Sequence, residues 1–121
     1  MSQPAQHHAI NYIEFTTTDI AGTKVFYGKV FGWTFQDWGP EYMSFDKEHS
    51  GIDGGFRKGA PGQTPADSAP LIVIYSQALE ATLKAVEAAG GKITVPIFDF
   101  PGGRRFHFSD GSGNVLAVWS E

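Results

Sequence analysis

Glu14 stands between Tyr12 and Thr16 in a run, Asn11 to Thr17, whose apolar side chains recur at every second position. That is the period of a strand, so Tyr12, Glu14 and Thr16 share one face and Ile13 and Phe15 the other. A carboxylate on an inward face beside aromatic rings loses water and its pKa rises, which is how a general acid or base is made. A second polar pair obeys the same alternation: Arg105 and His107 interleave with Phe106 and Phe108 over Arg105 to Ser109. His107 titrates near neutral pH and can exchange a proton. Arg105 can clamp an anion. Trp119 shares a face with Val115 and Ala117 and can stack on a flat ligand. The candidate site therefore has Glu14 and His107 as catalytic residues, with Tyr12, Thr16, Arg105 and Trp119 binding ligand. In a dry cavity Glu14 needs a partner, and Arg105 or His107 is the one expected.

Each of these residues also has a plainer reading. Glu14 fits a wet rim or an ion pair, and His107 an ordinary core edge. Arg104-Arg105 fits a charged sheet edge that discourages pairing, and Trp119 fits simple packing. Other chemistry finds less support. His7, His8, His49 and His107 lack a ligand spacing such as HExxH. Asp110-Gly111-Ser112-Gly113-Asn114 imitates the opening of an EF-hand loop, but Val115 stands where that loop needs glycine, and strands flank it.

The elements that position these residues fall into two similar halves. Asn11–Thr17 is a strand, Thr18 or Asp19 caps a helix over about 20–30, and Gly32 stops it. Strands over 34–38, 41–46 and 51–58 follow, with turns at Gly39-Pro40 and around His49-Ser50. Residues 59–69, GAPGQTPADSA, read as a linker. A strand over 70–75, a helix over about 77–89 capped by Ser76, and strands over 92–98, 105–109 and 115–119 repeat the order. A shift of about 58 positions lays Ile13–Gly32 over Leu71–Gly90. The expectation is an α+β domain of two βαβββ modules, about 10–58 and 70–119, forming a curved mixed sheet around a central cleft.

The chain has 121 residues, a net charge of −4, no cysteine and ten phenylalanines. Length predicts one domain. The absence of cysteine excludes a disulfide framework or thiolate zinc site and suits a cytoplasmic protein. With no basic run, a nucleic-acid partner is not expected. No apolar run approaches a membrane span, and the start does not read as a signal peptide. The polar stretch 1 to about 9 is expected to be a loose arm. The aromatic surplus suits a pocket.

Two motifs carry a family resemblance. Asp19-Ile20-Ala21-Gly22-Thr23-Lys24-Val25-Phe26-Tyr27, with Val30-Phe31-Gly32-Trp33 behind it, is one. The other is Gly103-Arg104 followed by Asp110, Gly113, Asn114 and a short apolar strand ending in Trp119. Together they resemble the vicinal oxygen chelate superfamily, which includes glyoxalase I, bleomycin-resistance proteins and extradiol dioxygenases. The resemblance implies paired βαβββ modules around a cavity. In metal-dependent members it implies four His or Glu ligands, on positions that correspond here to Tyr12, Gly54 or Gly55 (Asp53 after a register slip), Pro70 and Ala117. Glycine, proline and alanine side chains cannot ligate, so neither metal nor other cofactor is expected. The resulting expectation is a cytoplasmic homodimer that binds a small organic molecule and contacts neither nucleic acid nor membrane. The alternatives are a glyoxalase-type lyase or isomerase working through Glu14 or a metal, and a non-catalytic accessory or regulatory module.

Overall fold

A computed structural model describes residues 7–62 and 64–121. The first half runs β1 (Ile13–Thr17), α1 (Ile20–Phe31), β2 (Gln36–Asp37), β3 (Tyr42–Phe45), α2 (Lys47–Ser50) and β4 (Gly54–Lys58). The second runs β5 (Val73–Tyr75), α3 (Leu79–Ala88), β6 (Lys92–Phe100), β7 (Gly103–Ser109) and β8 (Val115–Ser120). A 3-10 turn, Pro65–Asp67, lies between them. Most of the expected loose arm, residues 1–6, lies outside the described residues.

The strands form two four-stranded mixed sheets, in the orders β1-β4-β3-β2 and β5-β8-β7-β6. In each, the first strand pairs in parallel with the last, β1 with β4 and β5 with β8. The remaining pairings are antiparallel. The two halves thus share one topology, as their sequence repeat predicts, and β1 and β5 occupy equivalent edge places.

Several boundaries differ from the sequence reading. The strand expected over 34–38 keeps two residues, because Phe35 packs its ring against Phe45 and Phe56 instead of joining the ladder. The turn around His49-Ser50 is helical, because the Asp46 carboxylate accepts the Glu48 N–H at 3.0 Å. Ser76 does not cap α3 at its N-cap position, which is Ala78. Its hydroxyl accepts the Ala78 N–H and bonds Thr82 Oγ1 at 2.7 Å instead. The start of α1 matches expectation: the Asp19 carboxylate accepts the Gly22 N–H, and Gly32 closes the helix at φ 74°.

One core serves both sheets because α1 reaches both. The Tyr27 ring lies 5.2 Å from Phe56 of β4, and the Phe26 ring 5.8 Å from Phe108 of β7. Met43, Phe45 and Phe56 of the first sheet and Phe106, Phe108, Leu116 and Val118 of the second belong to this cluster. A polar lock joins the halves at one end. Buried Asp110 accepts the Tyr27 hydroxyl at 2.9 Å, the Ser112 and Asn114 N–H groups, and the Asn114 side-chain amide. That amide also donates to the Thr16 carbonyl at 2.8 Å, and the Thr18 N–H donates to the Ser112 carbonyl. The Asp110–Asn114 turn is therefore a structural clamp.

Strand alternation then fixes what remains. With one face of each sheet in the core, the opposite faces carry Tyr12, Glu14, Thr16, Tyr42 and Arg57 on the first sheet. On the second they carry Val73, Tyr75, Arg105, His107 and Trp119.

Candidate functional site

On the first sheet, Glu14 is bonded within its own module. The Arg57 Nε donates to one carboxylate oxygen at 3.4 Å and the Tyr42 hydroxyl to the other at 3.3 Å. The Tyr12 and Tyr42 hydroxyls are themselves hydrogen-bonded. The expected partnership with Arg105 or His107 is not made. Glu14 is not a dry carboxylate either, since its side chain is 46% open to water. Water, the Arg57 guanidinium and the Tyr42 hydroxyl already meet its hydrogen-bonding needs and remove the reason to seek a partner across the molecule. Tyr42 is pushed well above the usual tyrosine range, chiefly by burial, then by the Tyr12 hydroxyl and the Glu14 charge. Its phenol therefore stays a hydrogen-bond donor.

Two hollows open on this side. Tyr12 lines one of about 530 Å³ with Trp38, Ser44 and Asp53. Glu14 and Thr16 line another of about 320 Å³ with Thr64, Pro70 and Val115. Val115 starts the strand that carries Trp119, so this second hollow adjoins the open face of the second sheet.

On that face Arg105 and Trp119 are register partners, as are His107 and Ala117. The Arg105 guanidinium carbon lies 5.2 Å from the Phe98 ring centroid and 5.3 Å from that of Phe100. Trp119 packs edge-on to Tyr75 at 5.1 Å and to Phe100 at 6.3 Å. Arg105 Nε and His107 Nε2 are buried and have no hydrogen-bond partner among the described residues. Arg105, His107 and Trp119 are thus brought together, and Tyr12, Glu14 and Thr16 form a separate group.

His107 titrates below its usual value of 6.5, chiefly because burial disfavours the charged form and secondarily because Arg105 is nearby. A base whose folded pKa is depressed binds its proton better when unfolded. Its contribution to stability is complete above pH 6.5 and is lost as pH falls through the folded value. His107→Gln is expected to flatten the fall of stability in that acidic window. Denaturation midpoints measured from pH 7.5 to 5 on both proteins check this, and parallel curves would refute it.

The sequence model of the Glyoxalase/Bleomycin resistance protein/Dioxygenase superfamily matches residues 9–118, nearly the whole chain. The chain belongs to this superfamily. No curated protein sequence matches it. Among known structures it resembles a glyoxalase-related enzyme from Fulvimarina pelagi, at 16% identity and a TM-score of 0.77, over 94% of this chain and 88% of that one. A fosfomycin resistance protein from Listeria monocytogenes is similar at 14% identity and a TM-score of 0.76, over 96% and 95% of the two chains. A lactoylglutathione lyase from Agrobacterium tumefaciens is similar at 17% identity and 0.69, over 95% of each. At these identities the likeness is one of fold.

The superfamily's metal-dependent members raise the question of whether the residues at the corresponding positions fit a divalent ion, and the side chains at those positions do not. Tyr12 supplies a phenol that is engaged with Tyr42. Gly55 supplies nothing, and the Tyr42 hydroxyl fills the space that a side chain there would take. Any side chain at Gly54 would meet the Phe45 ring. Asp53 accepts the Lys47 N–H at 2.9 Å. Pro70 offers no donor, and Ala117 is fully buried. Elsewhere, Asp46, Glu48 and His49 bring ligand atoms within 4.8 Å of one another, but all three are exposed and Asp46 is held by its cap bond. A solvated trio of this kind is common without an ion.

Sequence reasoning missed Tyr42, Arg57, Tyr75 and Phe100. The signal for Tyr42 was present. A glycine pair inside a strand marks close approach of another group, and Gly54-Gly55 sits opposite Phe45 and Ser44 of Tyr42's own strand. Arg57 is legible once strand parity is applied to β4, because it shares the face of Gly55.

Proposed function

We propose that this superfamily member binds a flat organic anion on the open face of its second sheet, without a divalent metal, as a homodimer. The observation that carries this reading is Arg105. Its guanidinium is held against Phe98 and Phe100, close to Trp119, and no protein acceptor satisfies it among the described residues. A planar cation beside open aromatic rings suits a flat molecule bearing a carboxylate or similar group. Above its lowered pKa His107 is neutral, which leaves Arg105 as the cation that recognises charge and His107 as a proton donor or acceptor. Glu14 anchors a polar group at the Val115 end of the face.

The dimer is supported by exposed apolar surface on the same faces. Tyr12 and Trp38 on one side, and Val73, Tyr75 and Val95 on the other, are more than a third open to solvent. A symmetric partner covers such surface and the free edges of β1 and β5. No helix among the described residues is long and apolar enough to cross a membrane. A glyoxalase-type lyase or isomerase is the second reading. It is favoured by the hydrogen-bonded series Tyr12–Tyr42–Glu14, which sets a carboxylate beside two phenol hydroxyls on the open face of the first sheet.

Native mass spectrometry of the purified protein reads ligand, metal and oligomeric state together. The expected spectrum is a dimer with no stoichiometric metal. A monomer at micromolar concentration removes the assembly, and a stoichiometric divalent ion whose removal abolishes binding overturns the metal-free site. Glu14→Gln preserves shape, so the melting temperature should stay within about 2 °C, because an exposed ion pair contributes little. Affinity for 6-hydroxy-2-naphthoate, whose hydroxyl can donate to Glu14 while its carboxylate meets Arg105, should weaken by about 1–3 kcal/mol. If binding is unchanged and the melting point falls, Glu14 belongs to the fold and not to the site.

A further inference from the structure

Arg105 and His107 stand two residues apart on the open face of β7, so their places on the strand are about 7 Å apart. One ring lies against both. The Phe98 centroid is 5.2 Å from the Arg105 guanidinium carbon and 5.9 Å from the His107 ring centroid. Two bulges in β6 create this arrangement, one between Ile93 and Val95 and one between Val95 and Phe98. In the unbroken register that Ile93 and Phe108 begin, Thr94 would face His107 and Pro96 would face Arg105. Each bulge advances β6 by one residue, so Val95 and Phe98 take those places. A hydroxyl able to bond the imidazole is thereby replaced by an isopropyl group. On its other side His107 faces Ala117, with Val73 beyond. Its row across the sheet offers no side-chain hydrogen-bond partner.

Charge on this face is one-sided. Lys92 stands opposite Ser109, one row beyond His107, and Arg105 lies one row the other way. Among the described residues no carboxylate pairs with Arg105 or His107. Asp99 stands opposite Arg104 and shares its face, the other side of the sheet, where Arg104 is held by Glu80 of α3. Glu121 already accepts the Tyr75 hydroxyl at 2.9 Å. Glu14, on the first sheet, is held by Arg57 and Tyr42. A proton on His107 would therefore make a second cation beside Arg105 with nothing to offset it. Burial, and then the charge of Arg105, accordingly hold the titration of His107 below the ordinary histidine value.

An anion on Arg105 reverses this balance. It cancels the charge that repels the proton and supplies an acceptor for the imidazolium N–H. Proton and anion then favour each other's binding by the same factor. Resting on the anion reading of this face, we infer that it takes up a proton together with its ligand and that His107 receives it. The free protein presents Arg105 alone as the cation at this point of the face, and the complex presents Arg105 and His107 together. The site therefore holds an aryl carboxylate more tightly in mildly acidic solution and releases it as pH rises.

Isothermal titration of 2-naphthoate into the full chain, in MES and in Bis-Tris, counts the proton directly. The two buffers release protons with different enthalpies, and the probe's carboxylate is already ionised. At about pH 6, roughly half a proton per ligand should be taken up. Affinity should rise by at least about threefold from about pH 8 to about pH 5.5. In the unaltered protein, NMR of the imidazole rings should show the His107 titration moving upward on saturation with probe, while the other histidines do not respond. His107→Gln, or His107→Asn if glutamine is not tolerated, identifies that resonance and should abolish the uptake. Absence of binding, or equal binding in Arg105→Met, removes the anion reading and the proton uptake with it. Binding that needs Arg105 but takes up no proton overturns the inference alone and leaves the anion reading standing. So does uptake that persists in the His107 variant, or that moves the titration of a different histidine.

Discussion

Asp110→Ala should lower stability by about 3–5 kcal/mol, a large part of what a domain of this size possesses. Asp110 is 6% exposed, and its carboxylate accepts hydrogen bonds from the Tyr27 hydroxyl, two backbone N–H groups and the Asn114 amide. Removing it strands buried donors, and each stranded group loses its water without compensation. The loss is not confined to one turn. Asn114 and Ser112 also hold Thr16 and Thr18, so the variant loosens the junction of the two halves. Tyr27→Phe deletes one bond from the same network and should cost about 1–2 kcal/mol. Because the two residues share that bond, the double variant should cost less than the two single losses added. Urea denaturation of the four proteins measures this. A cost for Asp110→Ala below about 1 kcal/mol would show that the turn forms by its glycines alone.

Arg105→Met should reduce affinity for 2-naphthoate by at least tenfold, about 1.4 kcal/mol or more, while the protein remains folded. Methionine keeps apolar contact with Phe98 and Phe100 and removes the charge and its donors. Arg105→Lys should restore little. An ammonium lacks the planar, delocalised surface that lies against two rings, and it is more strongly hydrated. Binding should also weaken with added salt in the native protein more than in the methionine variant. Isothermal titration at two salt concentrations reads both effects. Equal affinity in native and Arg105→Met proteins would remove Arg105 from the site and, with it, the anion from the proposed ligand.

Alternation in Asn11–Thr17 and Arg105–Ser109, helix caps such as Asp19 and Gly32, and the repeat near half length were readable from the sequence, because each depends on local geometry with a fixed period. They determined two βαβββ halves, which residues share a strand face, and that the residues at Gly55, Pro70 and Ala117 supply no metal donor. Partners across the chain were not readable. Glu14 pairs with Arg57 and Tyr42, 43 and 28 positions away, because β1 lies beside β4 and β4 beside β3. Register between strands, not the composition of either one, decides that choice. The same holds for Asp110, whose turn is local chemistry but whose 83-residue reach to Tyr27 exists only because α1 packs across both sheets. Burial, finally, belongs to the tertiary structure alone: strand parity gives Glu14 and Arg105 their faces. The packing of the modules leaves Glu14 in water and sets Arg105 against two phenylalanine rings.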